Sequence, residues 1–175
     1  MLKDDQADGD KKGEKWTLPF APLGVSDACR HSTRTFAQSL AYGIHTMQAP
    51  VAFGSDFNGM AGHIGPRFGN EACGGNVGER AREAIGNKRL GYPFTLPGFG
   101  TFHRMKTGHK IYDFNVDGLA HIGLMPDLLG DLLAIGMSPS KLEPIFRSAE
   151  AYVNVWEKAL KTVKPQVYKG PLKKK

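Results

Sequence analysis

Residues 33–59 decide the fold of this chain, and they read TRTFAQSLAYGIHTMQAPVAFGSDFNG. The first part has apolar residues that recur with helical spacing and form one face: Phe36, Leu40, Ile44 and Met47. Ser32 or Thr33 can cap the start of a helix here, and the ring of Pro50 disfavours helical backbone at the residue before it. The pattern therefore predicts a helix over residues 33–48.

A short apolar run, Val51-Ala-Phe-Gly-Ser-Asp56, follows this helix directly. A uniformly apolar run of this length predicts a strand that is buried on both faces, as in a parallel sheet. The strand ends at Asp56, and in α/β folds the chemistry lies at the carboxyl ends of the strands. A carboxylate there can act as a general base, hold a metal-bound water or bind a substrate ammonium group. Alternatively, Asp56 forms a turn at the end of the strand.

The segment after Asp56 is a long, glycine-rich insertion that extends to residue 100. Long loops inside a compact domain are often functional, and this one brings Asn58, His63 and Arg67 close to Asp56 in sequence. Arg67 can bind a substrate carboxylate through two parallel hydrogen bonds. The alternative role for Arg67 is to brace the loop.

Several local patterns predict the elements after this point. Residues 79–85 predict a short helix, and residues 101–114 predict a β-hairpin with its turn at Thr107-Gly108. A helix is predicted from Pro126 to a stop at Gly136, and the next opens at Ser138-Pro139 with a capping box over residues 140–143. The last helix begins near Ser148, and its predicted apolar face consists of Tyr152, Val155, Trp156, Ala159 and Leu160.

Composition restricts the class of protein. The 175 residues are 41% hydrophobic and 23% charged, which is typical of one globular domain. The net charge of +6 comes entirely from residues 161–175, which hold six Lys and no acid, so residues 1–160 are neutral. A neutral body excludes a basic nucleic-acid-binding domain. No apolar run approaches the roughly 20 residues of a membrane span. We expect a lead-in over 1–15, a domain over 16–160 and a Lys-rich tail over 161–175.

Other residue types exclude further kinds of site. Cys29 and Cys73 occur without a CxxC or CxxH pattern, so we expect two free thiols in a reducing compartment and a cytoplasmic location. The six histidines form no metal-binding motif, and we expect His103 and His109 beside the hairpin turn to be exposed. The stretch from Asp113 to Gly118 has the first half of a calcium-loop pattern, but Leu124 stands where the loop needs Glu, so we expect a turn instead.

Several stretches together resemble the membrane-dipeptidase (renal dipeptidase-like) zinc peptidases of the amidohydrolase superfamily. Residues 51–59 are similar to the last-strand motif of that family, and residues 35–42 look like the segment that leads into it. Residues 117–129 resemble the stretch where the closing helices begin, and residues 136–139 and 149–157 look like the final helices. The resemblance covers roughly residues 20–160.

The resemblance implies an α/β fold, namely the C-terminal part of a (β/α)8 TIM barrel. This part would contain one buried barrel strand, a β-hairpin in the Gly-rich insertion and C-terminal helices. It also implies two zinc ions, a hydroxide that attacks a small peptide or amide bond, and a last-strand carboxylate that handles the proton and contacts the substrate amine. Asp56 matches that carboxylate. Asn58 stands where many relatives have Asp, so no shared role is assigned to it.

The chain departs from the family in one large respect. It contains no His-x-Asp, the metal-binding pair that the resemblance implies for the first barrel strand. A full barrel also needs about 250 residues, which is more than the 175 residues of this chain. We therefore expect the C-terminal portion of a dipeptidase-like hydrolase, without bound metal and inactive alone, that associates with the missing part or with itself. Two alternatives remain: a helical interaction module whose basic tail binds an acidic partner, and a small autonomous hydrolase that uses Asp56, His63 and Arg67.

Overall fold

The structure, a computed structural model, describes residues 28–47, 51–54 and 63–162. Within these ranges the chain forms, in order, α1 (Thr33–His45), α2 (Val77–Gly86), β1 (Phe94–Leu96), β2 (Gly100–Phe102), β3 (Lys106–Thr107), β4 (Lys110–Ile111), α3 (Phe114–Asp117), α4 (Met125–Ala134), α5 (Glu143–Phe146) and α6 (Ser148–Thr162). Short 3₁₀ turns precede α2, α4 and α5, at Ala72–Gly75, Ile122–Leu124 and Pro139–Leu142. The expected lead-in and most of the Lys-rich tail lie outside the described residues.

The helix predicted over residues 33–48 is confirmed as α1, which ends at His45. Ser32 caps its start, since the Ser32 Oγ accepts a hydrogen bond from the Arg34 amide at 3.2 Å. Leu40 is buried and Phe36 and Ile44 pack against the core, as the apolar face requires. Met47 lies beyond the helix and is exposed.

The buried strand predicted from Val51 is wrong over residues 51–54, which form no strand. Val51 and Phe53 are only half-buried, and the Phe53 amide donates to the Ser148 Oγ at 2.8 Å rather than to a neighbouring strand. A buried strand needs strands on both sides, but the strands of the described ranges form two separate antiparallel pairs. Residues 55–62, with Asp56, lie outside the described residues.

The predicted hairpin is confirmed but is shorter than expected, and its turn lies at Gly108-His109, one residue later than predicted. Strands β3 and β4 pair antiparallel, with Lys106 opposite Ile111 and Thr107 opposite Lys110. A second hairpin, β1 with β2, was not predicted, and it pairs Phe94 with Phe102. Its signal was the Pro97-Gly98 turn between two short stretches that contain Thr and Phe.

The core lies where α4 packs against α1 and β1. It buries apolar residues from these elements and from the segments around them: Ala37, Leu40, Leu90, Phe114, Leu119, Leu124, Leu128, Leu132, Met137 and Leu142. Helix α4 matches the predicted helix and ends at Ala134, and Gly136 after its cap has a φ of 101°, which favours glycine. Gly118 has a φ of 61°, and a Cβ there would lie 2.5 Å from the Ile64 carbonyl oxygen. This glycine therefore allows the loop at residues 63–66 to pass close to the end of α3.

Cys29 and Cys73 form a disulfide bond, so the expectation of two free thiols is wrong. The two residues are 44 positions apart, and their spacing carries no sign of proximity. The backbone brings them together, because the Gly65 amide donates to the His31 carbonyl and the Cys73 amide donates to the Pro66 carbonyl. Both cysteines are buried beside Ala72 in a small cluster separate from the main core.

The C-terminal helices follow the predicted order with two corrections. The capping box at residues 140–143 does not form, since the Ser140 Oγ pairs with the Ser138 Oγ instead. The last helix is confirmed as α6. Its predicted apolar face, however, points to solvent, and Ala151 is the residue of α6 that is buried.

Candidate functional site

The structure describes one of the two site residues predicted from the sequence, Asp56 and Arg67. Asp56 lies outside the described residues, as does Asn58, so the proximity of Asp56 to Arg67 stays a prediction. Arg67 is described, and its side chain is 1% exposed. It lies in the protein interior rather than at a surface that a substrate can reach.

The guanidinium of Arg67 is held by two carboxylates. Its Nε and Nη2 donate to the two oxygens of Asp131 at 2.8 and 2.6 Å, which is a two-point contact. Its Nη1 donates to Glu83 Oε1 at 2.5 Å, and Nη2 also donates to the Lys88 carbonyl at 2.8 Å. The fork of Arg67 is therefore engaged on both sides by the protein itself.

A second arginine completes this buried charge cluster, which consists of Arg34, Arg67, Glu83 and Asp131. The Arg34 Nε donates to both oxygens of Glu83 at 3.0 and 2.8 Å, and its Nη2 donates to Asn87 Oδ1 at 2.5 Å. Each of the four side chains is at most 6% exposed. Two positive and two negative charges balance, which is the condition for burying charges at tolerable cost.

The cluster sets the charge state of Arg67. Burial by itself lowers the pKa of the Arg67 guanidinium, but its hydrogen bonds and charge interactions with Asp131 and Glu83 outweigh burial and raise the pKa. Arg67 is therefore a fixed cation, unable to act as an acid or base.

The buried charge cluster joins parts of the chain that are distant in sequence. Arg34 belongs to α1, Glu83 to α2 and Asp131 to α4, and Arg67 connects the last two. This geometry favours the bracing role for Arg67 over the binding of a substrate carboxylate. Sequence reasoning missed the cluster, because Glu83 and Asp131 look like ordinary residues on helix surfaces.

A second polar group, also missed from the sequence, lies beside α4. The Tyr92 hydroxyl donates to the Asp127 carboxylate and accepts from the Phe114 amide at 3.1 Å. Burial, together with the neighbouring carboxylate, raises the pKa of Tyr92, and burial also raises the pKa of Asp127. These groups satisfy one another's hydrogen-bonding capacity. They therefore anchor the start of α4 to the start of α3, the segment that follows β4.

The calcium-like stretch at residues 113–118 is a helix cap with an ion pair. The Asp113 carboxylate accepts from the Asn115 amide at 3.0 Å, and Asp117 pairs with Lys110 at 2.7 Å. The buried Asn115 side chain accepts a hydrogen bond from the Leu90 amide and donates one to the Leu90 carbonyl. The stretch therefore forms the short helix α3 with Asp113 as its cap, so the expectation of a turn that closes the hairpin is wrong.

Metal ligands do not come together in the described ranges: residues 28–47, 51–54 and 63–162 hold no group of three His, Cys, Asp or Glu placed to bind an ion. His103 and His109 are exposed, as expected. The His121 Nδ1 accepts from the Gly123 amide at 2.9 Å, which makes it a cap for a 3₁₀ turn. The residues described here do not fit a two-zinc centre.

An apolar cavity of about 220 Å³ opens between the β1–β2 hairpin, the start of α4 and α5. Its lining consists of apolar residues: Phe53, Leu96, Phe99, Phe102, Met125, Pro126, Leu128, Leu129, Ile145 and Phe146. Phe99 and Phe146 stack at 4.7 Å between ring centroids, and both are partly exposed. Such a lining offers no group for acid, base or nucleophilic chemistry.

Helix α6 presents an exposed apolar surface. Five large apolar side chains on it are 49–70% exposed: Tyr152, Val153, Val155, Trp156 and Leu160. Exposed apolar residues that cluster on one element indicate an interaction surface. As for membranes, none of the helices in the described ranges combines the length and apolarity of a span.

Comparison with known proteins adds no identity to this geometry. No protein-family model, no curated protein and no solved structure matches the chain.

Proposed function

We propose that this chain is the C-terminal portion of a metal-dependent, two-zinc dipeptidase-like hydrolase that cleaves small peptide or amide bonds and is inactive alone. The observation that carries the proposal is the sequence Val51-Ala-Phe-Gly-Ser-Asp56-Phe-Asn-Gly59, which ends an apolar run in a carboxylate and resembles the last-strand motif of that family. Asp56 is the proposed catalytic and substrate-amine-binding residue.

The arrangement around this motif supports the proposal. Helix α1 leads into residues 51–54, and α4 and α6 follow at the places where the resemblance implies closing helices. Residues 51–54 form no strand, and within the described ranges they have no pairing partner. The proposal therefore requires that a strand forms at these residues only when the neighbouring strands of the complete barrel are present.

The proposal assigns no metal ligand to this chain. The described residues hold no suitable group, and we propose that the zinc ligands lie in another part of the complete enzyme. We leave Arg67 out of the substrate site, because its guanidinium is engaged by Glu83 and Asp131. The small autonomous hydrolase loses support for the same reason.

We also propose a cellular compartment for this chain. The Cys29–Cys73 disulfide is of a kind that persists mainly in oxidising compartments. We infer that the chain resides in such a compartment rather than in the cytoplasm, and thiol trapping of the protein in fresh cell extract tests this. Labelling of Cys29 and Cys73 without prior reduction would contradict it.

The hydrolase proposal is tested on the native polypeptide. An antibody against this chain should detect a species well above 19.1 kDa in the source cells, and that species should hydrolyse dipeptides with zinc. Asp56→Asn should lower kcat/KM by roughly 100-fold or more, as loss of a general base does. The matched variant Glu150→Gln, at an exposed carboxylate on α6, should leave it unchanged. A native species of 19.1 kDa, or full activity in Asp56→Asn, contradicts the proposal.

A second candidate is the interaction module, favoured by the concentration of charge in residues 161–175, which carry six Lys and no acid. An acidic polymer such as polyglutamate serves as the probe. Deletion of residues 163–175 should abolish binding and its dependence on salt, whereas neutral substitution of Lys88 and Lys106, two exposed lysines elsewhere, should not. Unchanged binding by the deletion variant contradicts this candidate.

A further inference from the structure

The apolar cavity beside the β1–β2 hairpin has a buried floor and an aromatic rim. Leu96 and Leu128 line the cavity and are 3% and 1% exposed, so they form its floor. Phe99 and Phe146 also line it, but they are 57% and 43% exposed, so they stand at its opening. The cavity therefore reaches into the body of the fold and is not a flat patch on its surface.

The walls of the cavity are held in place by contacts on their far sides. Phe53 packs edge-on against Phe36 of α1 at 5.7 Å between ring centroids, and the Phe53 amide donates to the Ser148 Oγ at 2.8 Å. Phe102 of β2 stacks on Phe94 of β1 at 5.6 Å. The site is therefore formed before a ligand arrives, which reduces the entropy lost on binding.

The chemistry of the lining selects the kind of ligand. Every described residue of the lining is apolar, so their side chains offer no charge and no strong hydrogen-bonding group. A charged or strongly polar molecule would lose its hydration there without compensation. The lining therefore favours a neutral, apolar ligand, and it supplies no group that could change such a ligand chemically.

The volume of the cavity sets the size of that ligand. The cavity holds about 220 Å³, whereas a dry cavity of about 150 Å³ lined by Leu, Ile and Phe binds benzene. One ring with a short alkyl group therefore fits. A folded partner protein is a poorer match, because specific protein interfaces bury about 1,200 Å² or more and a cavity for one ring supplies only a small part of that area.

We propose that this cavity binds a small, neutral, apolar molecule with one ring and a short alkyl group, which lies on the Leu96–Leu128 floor with Phe99 and Phe146 at the opening. The proposal is independent of the hydrolase function.

Isothermal titration calorimetry of the full 175-residue chain with ethylbenzene tests the proposal. We expect one site with a dissociation constant of about 0.1–1 mM, which is typical of a ligand with so few atoms and no polar contact. Benzoate has a similar ring but carries an ionised carboxylate, which the cavity would bury without a partner. Benzoate should therefore not bind.

Variants that fill the cavity locate the binding site. Leu129→Trp and Ile145→Phe enlarge two partly buried side chains of the lining, and each should raise the dissociation constant for ethylbenzene by roughly tenfold or more, because the added atoms occupy the ligand's space. The matched control is Ile85→Trp, at a residue of α2 that is 89% exposed, and it should leave the constant unchanged. Thermal melts show that each variant is folded, and either filling variant is sufficient for the test.

The outcomes separate a bound molecule from a segment of the chain as the occupant. Absence of ethylbenzene binding, equal binding of benzoate, or binding that both filling variants leave intact overturns the proposal. Phe57 follows Phe53 by four positions and lies outside the described residues. Binding of ethylbenzene by Phe57→Ala but not by the wild type also overturns the proposal and assigns the cavity to the side chain of Phe57.

Discussion

Replacement of Arg67 by Ala should strongly destabilise the fold, because it removes the central cation of the buried charge cluster. The side chain is 1% exposed, and its removal leaves the carboxylates of Asp131 and Glu83 without the partner that holds them together. Arg34 still contacts Glu83, but Asp131 loses the ion pair that it makes with Arg67. Removing one member of a buried ion pair typically costs about 3–5 kcal/mol.

That cost is a large fraction of the stability of a domain, which is about 5–15 kcal/mol in total. Urea denaturation followed by circular dichroism measures it as a shift of the midpoint, with the slope checked for two-state behaviour. Arg67→Lys should lie between the wild type and Arg67→Ala, since lysine keeps the charge but cannot make the two-point contact with Asp131.

The matched control is Arg104→Ala. Arg104 also pairs with a carboxylate, that of Asp113, but its side chain is 48% exposed, and exposed pairs contribute about 0–1 kcal/mol. If Arg67→Ala lowers the free energy of unfolding no more than Arg104→Ala does, Arg67 is not a bracing residue. The substrate-binding role is then favoured instead.

Three further predictions concern other parts of the fold. Cys29→Ala with Cys73→Ala should lower the free energy of unfolding by about 4 kcal/mol, as expected for a loop closed over 44 residues; equal urea midpoints for this variant and the wild type would refute the bond. The pKa of Asp113 lies below its usual value of 3.8, because its hydrogen bonds with Asn115 and Arg104 outweigh the raising effect of burial. A carboxylate whose pKa is lowered by folding stabilises the folded state at pH values above its unfolded pKa. That contribution to stability is lost as the pH falls through the folded-state pKa. Asp113→Asn should therefore destabilise the chain at pH 7 but flatten the loss of stability below about pH 4, which thermal melts across pH 2–7 measure; parallel wild-type and variant profiles would contradict this. Gly118→Ala should cost about 2 kcal/mol or more, since a Cβ meets the Ile64 carbonyl oxygen and φ is 61°, whereas Gly91→Ala, in open space, should change the melting temperature little.

Local patterns predicted most of the secondary structure. The spacing of Phe36, Leu40 and Ile44 predicted α1, and the turn residues at 107–108 predicted the β3–β4 hairpin. These elements depend on contacts within a few residues, such as the Ser32 cap, so neighbouring residues carry the necessary information. The hairpin at Phe94–Phe102 carried the same kind of signal in Pro97-Gly98.

Patterns that depend on distant partners were misread. The apolar run at residues 51–53 predicted a buried strand, but a strand forms only with neighbours to pair with, and the described chain supplies none. The Cys29–Cys73 bond joins residues 44 positions apart, and nothing in the spacing of two cysteines reveals their distance in space. The apolar face of α6 was correctly identified, but its periodicity did not indicate whether the core or solvent lies opposite.

The sequence by itself determined α1, α4, α6, the β3–β4 hairpin and the neutral body with its basic end, and the role of Asp56 stays a prediction. The tertiary structure alone decided the role of Arg67. A guanidinium suits a substrate carboxylate and a buried Asp131 equally well, and the choice depends on whether Glu83 and Asp131 fold next to it. Those partners lie 16 and 64 positions away, so only the packing of α2 and α4 brings their carboxylates within hydrogen-bonding distance.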